Sequence, residues 1–132
     1  MKAYGEMLKY MNVVKDNADD NAFYTMGLIR KDLEMYDASI TAITRAIEIN
    51  PVNPEFYAQR ASVFGLKKEY EYAMKDCNMA IQIDSTFADS YMFRGLIYRE
   101  IGEKDSACED FIRYQIYSSG NSSLYDEYCT NN

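Results

Sequence analysis

The sequence predicts an all-α protein that is built from three copies of one antiparallel helix pair. The stretch 54–87 is similar to stretches that begin 34 residues upstream, at residue 20, and 34 residues downstream, at residue 88. A fixed period indicates one structural unit that is used three times. Within each copy, large aromatic residues alternate with Gly, Ala and Ser, and apolar residues recur at three- and four-residue steps, which is the spacing of a helix.

The aligned columns explain why two helices can pack closely in each copy. Aromatic rings bury a large area, roughly 150 to 250 Å² each, whereas the smallest side chains allow two helix backbones to approach. The aromatic column contains Phe23, Tyr57 and Tyr91, and the small columns contain Gly27, Ala61 and Gly95, and then Ser39, Ala73 and Ala107. The pattern predicts helix pairs at 21–33 and 37–49, at 54–66 and 70–83, and at 88–101 and 104–117.

Apolar residues also predict a helix at each end of the chain. In residues 1–19, one helical face contains Tyr4, Met7, Leu8, Met11 and Val14. This helix either caps the first copy or is the second helix of an incomplete copy, in which case the chain is a fragment of a longer array. At the other end, a short cap helix over residues 122–129 is predicted by the helical spacing of Leu124, Tyr125 and Tyr128.

The three copies resemble the tetratricopeptide repeat, whose signature is an aromatic residue, a Gly or Ala four places later, a second aromatic residue, two Ala and a closing Pro. The matching residues are Phe23, Gly27, Ser39, Ala46 and Pro51, then Tyr57, Ala61, Phe64, Ala73 and Ala80, then Tyr91, Gly95, Tyr98 and Ala107. The chain departs from the signature at Arg30, Ser85, Ser119 and Tyr114. Its ending, "SACEDF" followed by "YC", is similar to the terminal repeats of many bacterial members of the family.

This resemblance implies a right-handed α-solenoid of tandem helix-turn-helix repeats with capping helices. In such a superhelix the first helix of each repeat lines a concave groove, and the second helix forms the convex back. The chain is then a single domain, residues 1–132, which divides into an N-terminal helix (1–19), repeat 1 (20–53), repeat 2 (54–87), repeat 3 (88–121) and a C-terminal cap (122–132).

The charge balance limits the classes of partner. The chain has 21 acidic and 14 basic residues and a net charge of −7. Because no basic stripe is present to neutralise phosphates, we expect neither nucleic acid nor an anionic membrane surface as a partner. No apolar run approaches the roughly 20 residues that span a bilayer, and no signal-peptide region opens the sequence. We expect a soluble chain without membrane insertion; a longer parent with a removed leader stays open, and the compartment is not indicated.

The residue types argue against an enzyme. The chain has no histidine, which removes the commonest general base and metal ligand. Its six glycines are scattered, so no Gly-rich phosphate loop is formed. Three cysteines without histidine are too few for a zinc site, and the carboxylates at helix starts suit the helix dipole. We therefore expect no catalytic residue, no cofactor and no metal.

One pair of columns predicts buried ion pairs. Arg60 and Arg94 share a column, and Asp76 and Asp110 follow sixteen residues later on the facing helices. In the first repeat the same two places hold apolar residues, Met26 and Ala42. Because charge is present or absent at both places together, we predict that Arg60 pairs with Asp76 and Arg94 with Asp110 in a structural role.

The cysteines lead to a separate expectation. Residues 118–122 are predicted as a turn midway between Cys108 and Cys129, so that the cap helix returns towards Cys108. We expect the two cysteines to approach each other. A disulfide requires Cα atoms within about 7 Å and an oxidising compartment. Cys77 lies in a core column and is expected to be a small buried hydrophobe.

The family's groove columns predict the binding residues. They are Asn21, Tyr24, Thr25, Leu28 and Lys31 in repeat 1, Glu55, Ala58, Gln59 and Ser62 in repeat 2, and Asp89, Met92, Phe93, Leu96 and Arg99 in repeat 3. Family members that clamp the C-terminal carboxylate of a chaperone use Lys, Asn and Arg at five of these places. Here the five are Tyr24, Leu28, Gln59, Asp89 and Phe93. That clamp is therefore expected to be absent.

The predicted function is a non-catalytic protein-protein interaction scaffold that binds a peptide or helix in the concave groove. The groove columns are apolar and aromatic at both ends, with cations only at Lys31 and Arg99. Such a surface suits a hydrophobic peptide or an amphipathic helix of unknown identity. Two alternatives stay open. In the first, the chain forms a homo-oligomer as a self-associating structural module. In the second, it is part of a longer chain, as a regulatory or adaptor fragment or as a domain of an enzyme.

Overall fold

The computed structural model describes residue 5 and residues 19–120 and 123–130. The predicted N-terminal helix at 1–19 lies, except for residues 5 and 19, outside the described residues. The helices of the described part are α1 (Asp20–Asp32), α2 (Tyr36–Ile49), α3 (Pro54–Leu66), α4 (Tyr70–Ile83), α5 (Ala88–Glu100), α6 (Lys104–Tyr117) and α7 (Leu124–Cys129). The prediction of an all-α solenoid of helix pairs is confirmed.

Local sequence explains where these helices begin and end. Asp19 caps α1 through its carboxylate, which accepts a hydrogen bond from the amide of Ala22 at 2.8 Å. Asn53 caps α3 in the same way, and Pro54 occupies the first turn, where no amide is required. The turn inside each repeat passes through a residue with positive φ. Only the last of the three is a glycine: Glu34 at 59°, Lys68 at 62° and Gly102 at 85°.

The small columns set the distance between the two helices of a repeat. A Cβ built on Gly95 would lie 2.6 Å from Cε1 of Phe111, so α5 and α6 can meet only because no side chain is present there. In repeat 1 the hydroxyl of Ser39 donates to the carbonyl of Gly27 at 2.7 Å, which joins α1 to α2. The predicted close approach of the paired helices is therefore observed.

Two buried apolar clusters join successive repeats, and Phe93 packs against both of them. Ile43 and Ala46 of α2 are fully buried in one cluster with Phe56 of α3. The next junction buries Cys77 of α4 against Ile97 of α5. Helices α3 and α5 also contact each other, so the first helices of the repeats form one side of the domain. Each repeat thus buries its apolar face against its neighbours, as a solenoid requires.

Both predicted ion pairs are present as forks of two hydrogen bonds. Arg60 donates to Asp76 from Nε at 2.7 Å and from Nη2 at 2.8 Å. Arg94 donates to Asp110 from Nε and from Nη2, each at 2.8 Å. Arg113 adds a third bond to Asp110 at 3.0 Å. These pairs satisfy two buried carboxylates between the helices of repeats 2 and 3.

The end of the last repeat is covered by α7, which begins two residues later than predicted. The expected approach of Cys108 and Cys129 is confirmed, because they form a disulfide with a Cα–Cα distance of 5.9 Å. Tyr128 of α7 meets the ring of Phe111 edge-on, with centroids 6.2 Å apart. Cys77 is a free, fully buried thiol, as its column indicates.

Candidate functional site

A cavity of about 430 Å³ lies on the side of the domain formed by the first helices of the repeats. Its apolar lining comes from α3, α4 and α5, and its polar lining comes from α1, α3, α5 and the turn between α3 and α4. The apolar residues are Ala61, Leu66, Tyr70, Phe93, Leu96 and Ile97, and the polar ones include Lys31, Ser62, Lys68 and Glu100. Four of the predicted groove residues therefore meet at one cavity: Lys31, Ser62, Phe93 and Leu96.

Lys31 joins the three helices around this cavity. Its half-buried ammonium group donates to Oε1 of Gln59 on α3 at 3.3 Å. The same nitrogen lies 6.0 Å from the ring centroid of Phe93 on α5, within the range of a cation–π interaction. Burial lowers the pKa of Lys31, and the nearby charge of Asp32 partly opposes this shift. A cation held near an aromatic ring thus lies at one wall of a mainly apolar cavity.

The beginnings of the same helices form an acidic region. Tyr24 is only 8% exposed, its ring lies 4.8 Å from that of Phe56, and its hydroxyl donates to Glu55 at 2.9 Å. Burial, followed by the hydrogen bond to Glu55, raises the pKa of Tyr24. Burial and the charge of Glu55 also raise the pKa of Asp89. Tyr24 therefore belongs to the core beneath the groove, and Glu55 and Asp89 supply negative charge beside it.

The other predicted groove residues differ in exposure. Asn21 and Thr25 are exposed on α1, and Leu28 packs against the core cluster of the first two repeats. Met92 is half-buried on α5. The exposed Arg99 points its charge towards Glu100, with Nη2 3.8 Å from the carboxylate. Arg99 is thus placed beside the rim, whereas Lys31 lines the cavity itself.

Sequence reasoning missed part of the lining. Leu66, Lys68 and Tyr70 lie beyond the groove columns, at the end of α3 and at the start of α4. They reach the cavity because the turn after α3 brings the chain back along the same surface. One comparison of the repeats could have identified them. Leu66 is apolar at the end of its helix, whereas the equivalent residue of repeat 1 is Asp32.

A second apolar surface lies on α6. Ile112 is 41% exposed and Ile116 is 68% exposed. The earlier repeats have polar residues in these two columns: Thr44 and Asn78 at the first, and Glu48 and Gln82 at the second. The last repeat therefore exposes an apolar pair where the others expose polar groups. We refer to Ile112 and Ile116 as the α6 apolar pair.

Within residues 5, 19–120 and 123–130, no set of three or more Cys, Asp or Glu side chains is arranged to hold a metal ion. In the same part of the chain, every helix is too short or too polar to cross a membrane.

The sequence matches the family model for the tetratricopeptide repeat at residues 20–53 and 88–114. The chain belongs to the tetratricopeptide repeat family. Among curated proteins, it is 34% identical over 77 residues to Hsc70-interacting protein 1 of Drosophila melanogaster, which covers 58% of this chain and 20% of that protein. It is 36% identical over 75 residues to the TPR repeat-containing thioredoxin TDX of Arabidopsis thaliana, with 57% and 20% covered. The chain thus spans about a fifth of the length of these relatives.

Solved tetratricopeptide structures share the fold. The second TPR domain of human RPAP3, in complex with the HSP70 peptide SGPTIEEVD, has a TM-score of 0.73 and 26% identity over 82% of this chain and 90% of that one. The first TPR of Spaghetti, bound to the HSP90 peptide SRMEEVD, has a TM-score of 0.79 and 23% identity over 87% and 91%. A crystal structure of MamA has a TM-score of 0.71 and 28% identity over 80% and 61%.

Proposed function

We propose that the chain is a non-catalytic protein-interaction scaffold that binds an apolar or amphipathic peptide segment along α1, α3 and α5. The observation that carries this proposal is the cavity among the first helices, whose lining combines Phe93, Leu96 and Leu66 with the ammonium group of Lys31. Its volume falls in the ordinary range for ligand sites, roughly 300 to 1,000 Å³. One large aliphatic or aromatic side chain of a peptide fills such a cavity as an anchor.

The charges at the beginnings of α3 and α5, outside the cavity lining, favour a segment that places basic rather than acidic residues beside those helix beginnings. Glu55 and Asp89 lie at the beginnings of α3 and α5, and burial and the charge of Glu55 raise the pKa of Asp89. A basic side chain of the partner would relieve this repulsion, whereas an acidic one would add to it. Lys31 is already engaged with Gln59 and lies near Phe93, so it offers less charge to a carboxylate than a free lysine does.

The residues at the clamp places distinguish the chain from the similar domains that were solved with acidic chaperone peptides. The five places used by the carboxylate clamp are occupied by Tyr24, Leu28, Gln59, Asp89 and Phe93. Two of these are further unsuited to a clamp, since Tyr24 is buried and Asp89 is acidic. We expect SRMEEVD and SGPTIEEVD to bind at least about tenfold more weakly than a basic, apolar peptide. This is the effect of losing one favourable charge contact.

The test begins with a peptide selected from a random library on the folded, purified chain, followed by fluorescence anisotropy with labelled peptides. Phe93→Ala should weaken binding at least about tenfold, which is typical of an aromatic anchor. The matched control is Tyr72→Ala, because Tyr72 is an aromatic residue of α4 that is 57% exposed and outside the cavity. Tyr24 is a poor choice for substitution, since its burial would confuse loss of binding with loss of folding.

Two results would contradict the proposal. A selected peptide that binds Phe93→Ala as tightly as the parent, while Tyr72→Ala loses binding, would move recognition to the other face. Tight binding of the two acidic peptides would contradict the charge argument even if the groove were the site.

The α6 apolar pair favours a second candidate function, a self-associating module. A second copy could cover the exposed Ile112 and Ile116, as neighbouring repeats cover each other within the chain. Light scattering over a concentration series measures the molar mass directly. Replacing both residues with those of repeat 2, as Ile112→Asn and Ile116→Gln, should then give a monomer. A parent chain that stays monomeric at all concentrations would exclude this candidate.

The length of the relatives supports a further part of the proposal. The chain matches about a fifth of the length of the two curated relatives named above, and residues 20–53 and 88–114 of the chain match the tetratricopeptide family model. We propose that it serves as an adaptor region, either alone or within a longer chain. The length of the open reading frame decides between these two forms.

A further inference from the structure

The end of the last repeat is covered differently from the junctions inside the domain. Helix α3, of 13 residues, packs on α2, and α5, also of 13 residues, packs on α4. The equivalent surface of α6 is covered by α7, which has only six residues. Phe111 stands in the column of Ile43 and Cys77, which the longer helices bury at the other junctions.

One covalent bond and an aromatic contact join α7 to α6. None of its six residues is buried. Tyr128 meets Phe111 edge-on at 6.2 Å between centroids, and the ammonium group of Lys104 lies 5.8 Å from the same tyrosine ring. Within α7 the amide of Glu127 donates to the carbonyl of Ser123 at 2.8 Å. The disulfide from Cys108 to Cys129 ties the last residue of this helix to the middle of α6.

We propose that the Cys108–Cys129 disulfide is a redox latch, which holds α7 over the end of the superhelix when oxidised and releases it when reduced. Six residues are too few to form a stable helix alone, because nucleation outweighs the few hydrogen bonds that follow. A cross-link between residues 21 apart in sequence raises the equilibrium constant for the closed state by roughly 100-fold through the loss of chain freedom. The cap therefore depends on the bond more than on its packing.

Neither cysteine of the disulfide is fully buried, so an external thiol can approach the bond. Cys108 and Cys129 are half-buried, whereas Cys77 is fully buried. The reductant is a small or protein dithiol, which supplies two electrons and two protons. The sulfur–sulfur bond breaks, Cys108 and Cys129 become thiols, and the dithiol becomes a disulfide. Cys77 takes no part, since burial keeps it away from solvent and raises its pKa to about 12.

The released state differs from the latched state at one place only. The junctions that involve α1 to α5 contain no disulfide and depend on buried apolar clusters, so they do not require the bond. Release of α7 uncovers the edge of the Phe111 ring beside the α6 apolar pair. Reduction thus enlarges the apolar surface at the end of the superhelix without unfolding the repeats.

Hydrogen exchange followed by mass spectrometry on the full 132-residue chain tests the latch. Addition of excess dithiothreitol should speed exchange at the amide of Glu127 and its neighbours in α7 at least about tenfold, while α1 to α5 exchange as before. The variant Cys108→Ser/Cys129→Ser should show the fast exchange with and without the reductant. The variant Tyr128→Ala should keep the slow exchange as long as the disulfide is intact.

Four outcomes would overturn the proposal. Equal exchange in α7 before and after reduction would mean that packing alone holds the cap. Loss of protection throughout α1 to α6 would mean that the bond stabilises the whole domain. Fast exchange in oxidised Tyr128→Ala would assign the cap to the aromatic contact. Three free thiols in the denatured protein, after purification without a reductant, would mean that the bond does not form.

Discussion

Replacing Arg60 with Met isolates the energetic cost of a buried carboxylate that has lost its partner. Asp76 has a side chain that is only 7% exposed, and both of its oxygens accept hydrogen bonds from Arg60, at 2.7 and 2.8 Å. Methionine preserves much of the buried volume but supplies no donor. The first repeat shows that an apolar pair fits these columns, because Met26 and Ala42 occupy the equivalent places and are buried.

The expected magnitudes follow from the burial of each partner. Arg60→Met should lower the free energy of unfolding by about 3 to 5 kcal/mol, since Asp76 is left without a cation in the core. Asp76→Ala should cost less, about 1 to 3 kcal/mol, because the side chain of Arg60 is 20% exposed and keeps its bond to Thr44 at 3.1 Å. The double variant, which reproduces the residues of repeat 1, should lose only about 0 to 2 kcal/mol.

Urea unfolding followed by circular dichroism at the helical band measures all four proteins of this cycle. The decisive result is whether the double variant loses less stability than the sum of the losses of the two single variants. If the double variant loses as much stability as the two single variants together, the buried-charge explanation is wrong. A loss below about 1 kcal/mol for Arg60→Met would also contradict it, because it would mean that water reaches Asp76.

Three further predictions concern single side chains. Gly95→Ala should lower the free energy of unfolding by about 1 to 3 kcal/mol, because the new Cβ would lie 2.6 Å from the ring of Phe111. Gly65→Ala should raise the free energy of unfolding by about 0.5 to 1 kcal/mol, because the residue is helical and nothing lies within 4 Å of the new Cβ. Thermal unfolding of both variants tests these opposite effects. Cys77 should resist alkylation in the native protein at mildly alkaline pH and react after denaturation, since burial raises its pKa to about 12; labelling detected by mass spectrometry in the folded protein would contradict this. Asp89→Asn should raise the midpoint of thermal unfolding at neutral pH, because burial raises the pKa of Asp89 in the folded state and its ionisation therefore opposes folding. That gain should disappear as the pH falls below the ordinary value of 3.8, where the folded and the unfolded chains both carry the proton, and a gain that persists there would refute the electrostatic cause.

Much of the fold could be predicted from the sequence because each position of the repeat occurs three times in the chain. The helix bounds agree within one residue from α1 to α6, since capping residues, small columns and turns recur at a fixed spacing. The pairs Arg60–Asp76 and Arg94–Asp110 could be predicted because charges appear together in two repeats and are absent together from the first. Such paired changes identify side chains that meet in space.

The candidate site was predictable only in part. A helix column indicates the side of the helix on which a residue lies, and four of the predicted groove residues, Lys31, Ser62, Phe93 and Leu96, line one cavity. It does not indicate how deeply the side chain is covered by a neighbouring helix. The depth depends on which side chains interlock across the junction.

The sequence by itself determined the repeated helix pair, its ends and its buried ion pairs, because these depend on spacing within a single 34-residue unit. Only the tertiary structure decided that Tyr24 lies in the core, that Leu66 and Tyr70 line the cavity, and that Cys108 and Cys129 are bonded. These features arise where two units, or a unit and the cap, pack together. The geometry of such a junction depends on the shapes of both surfaces at once, and no column of a single repeat contains that information.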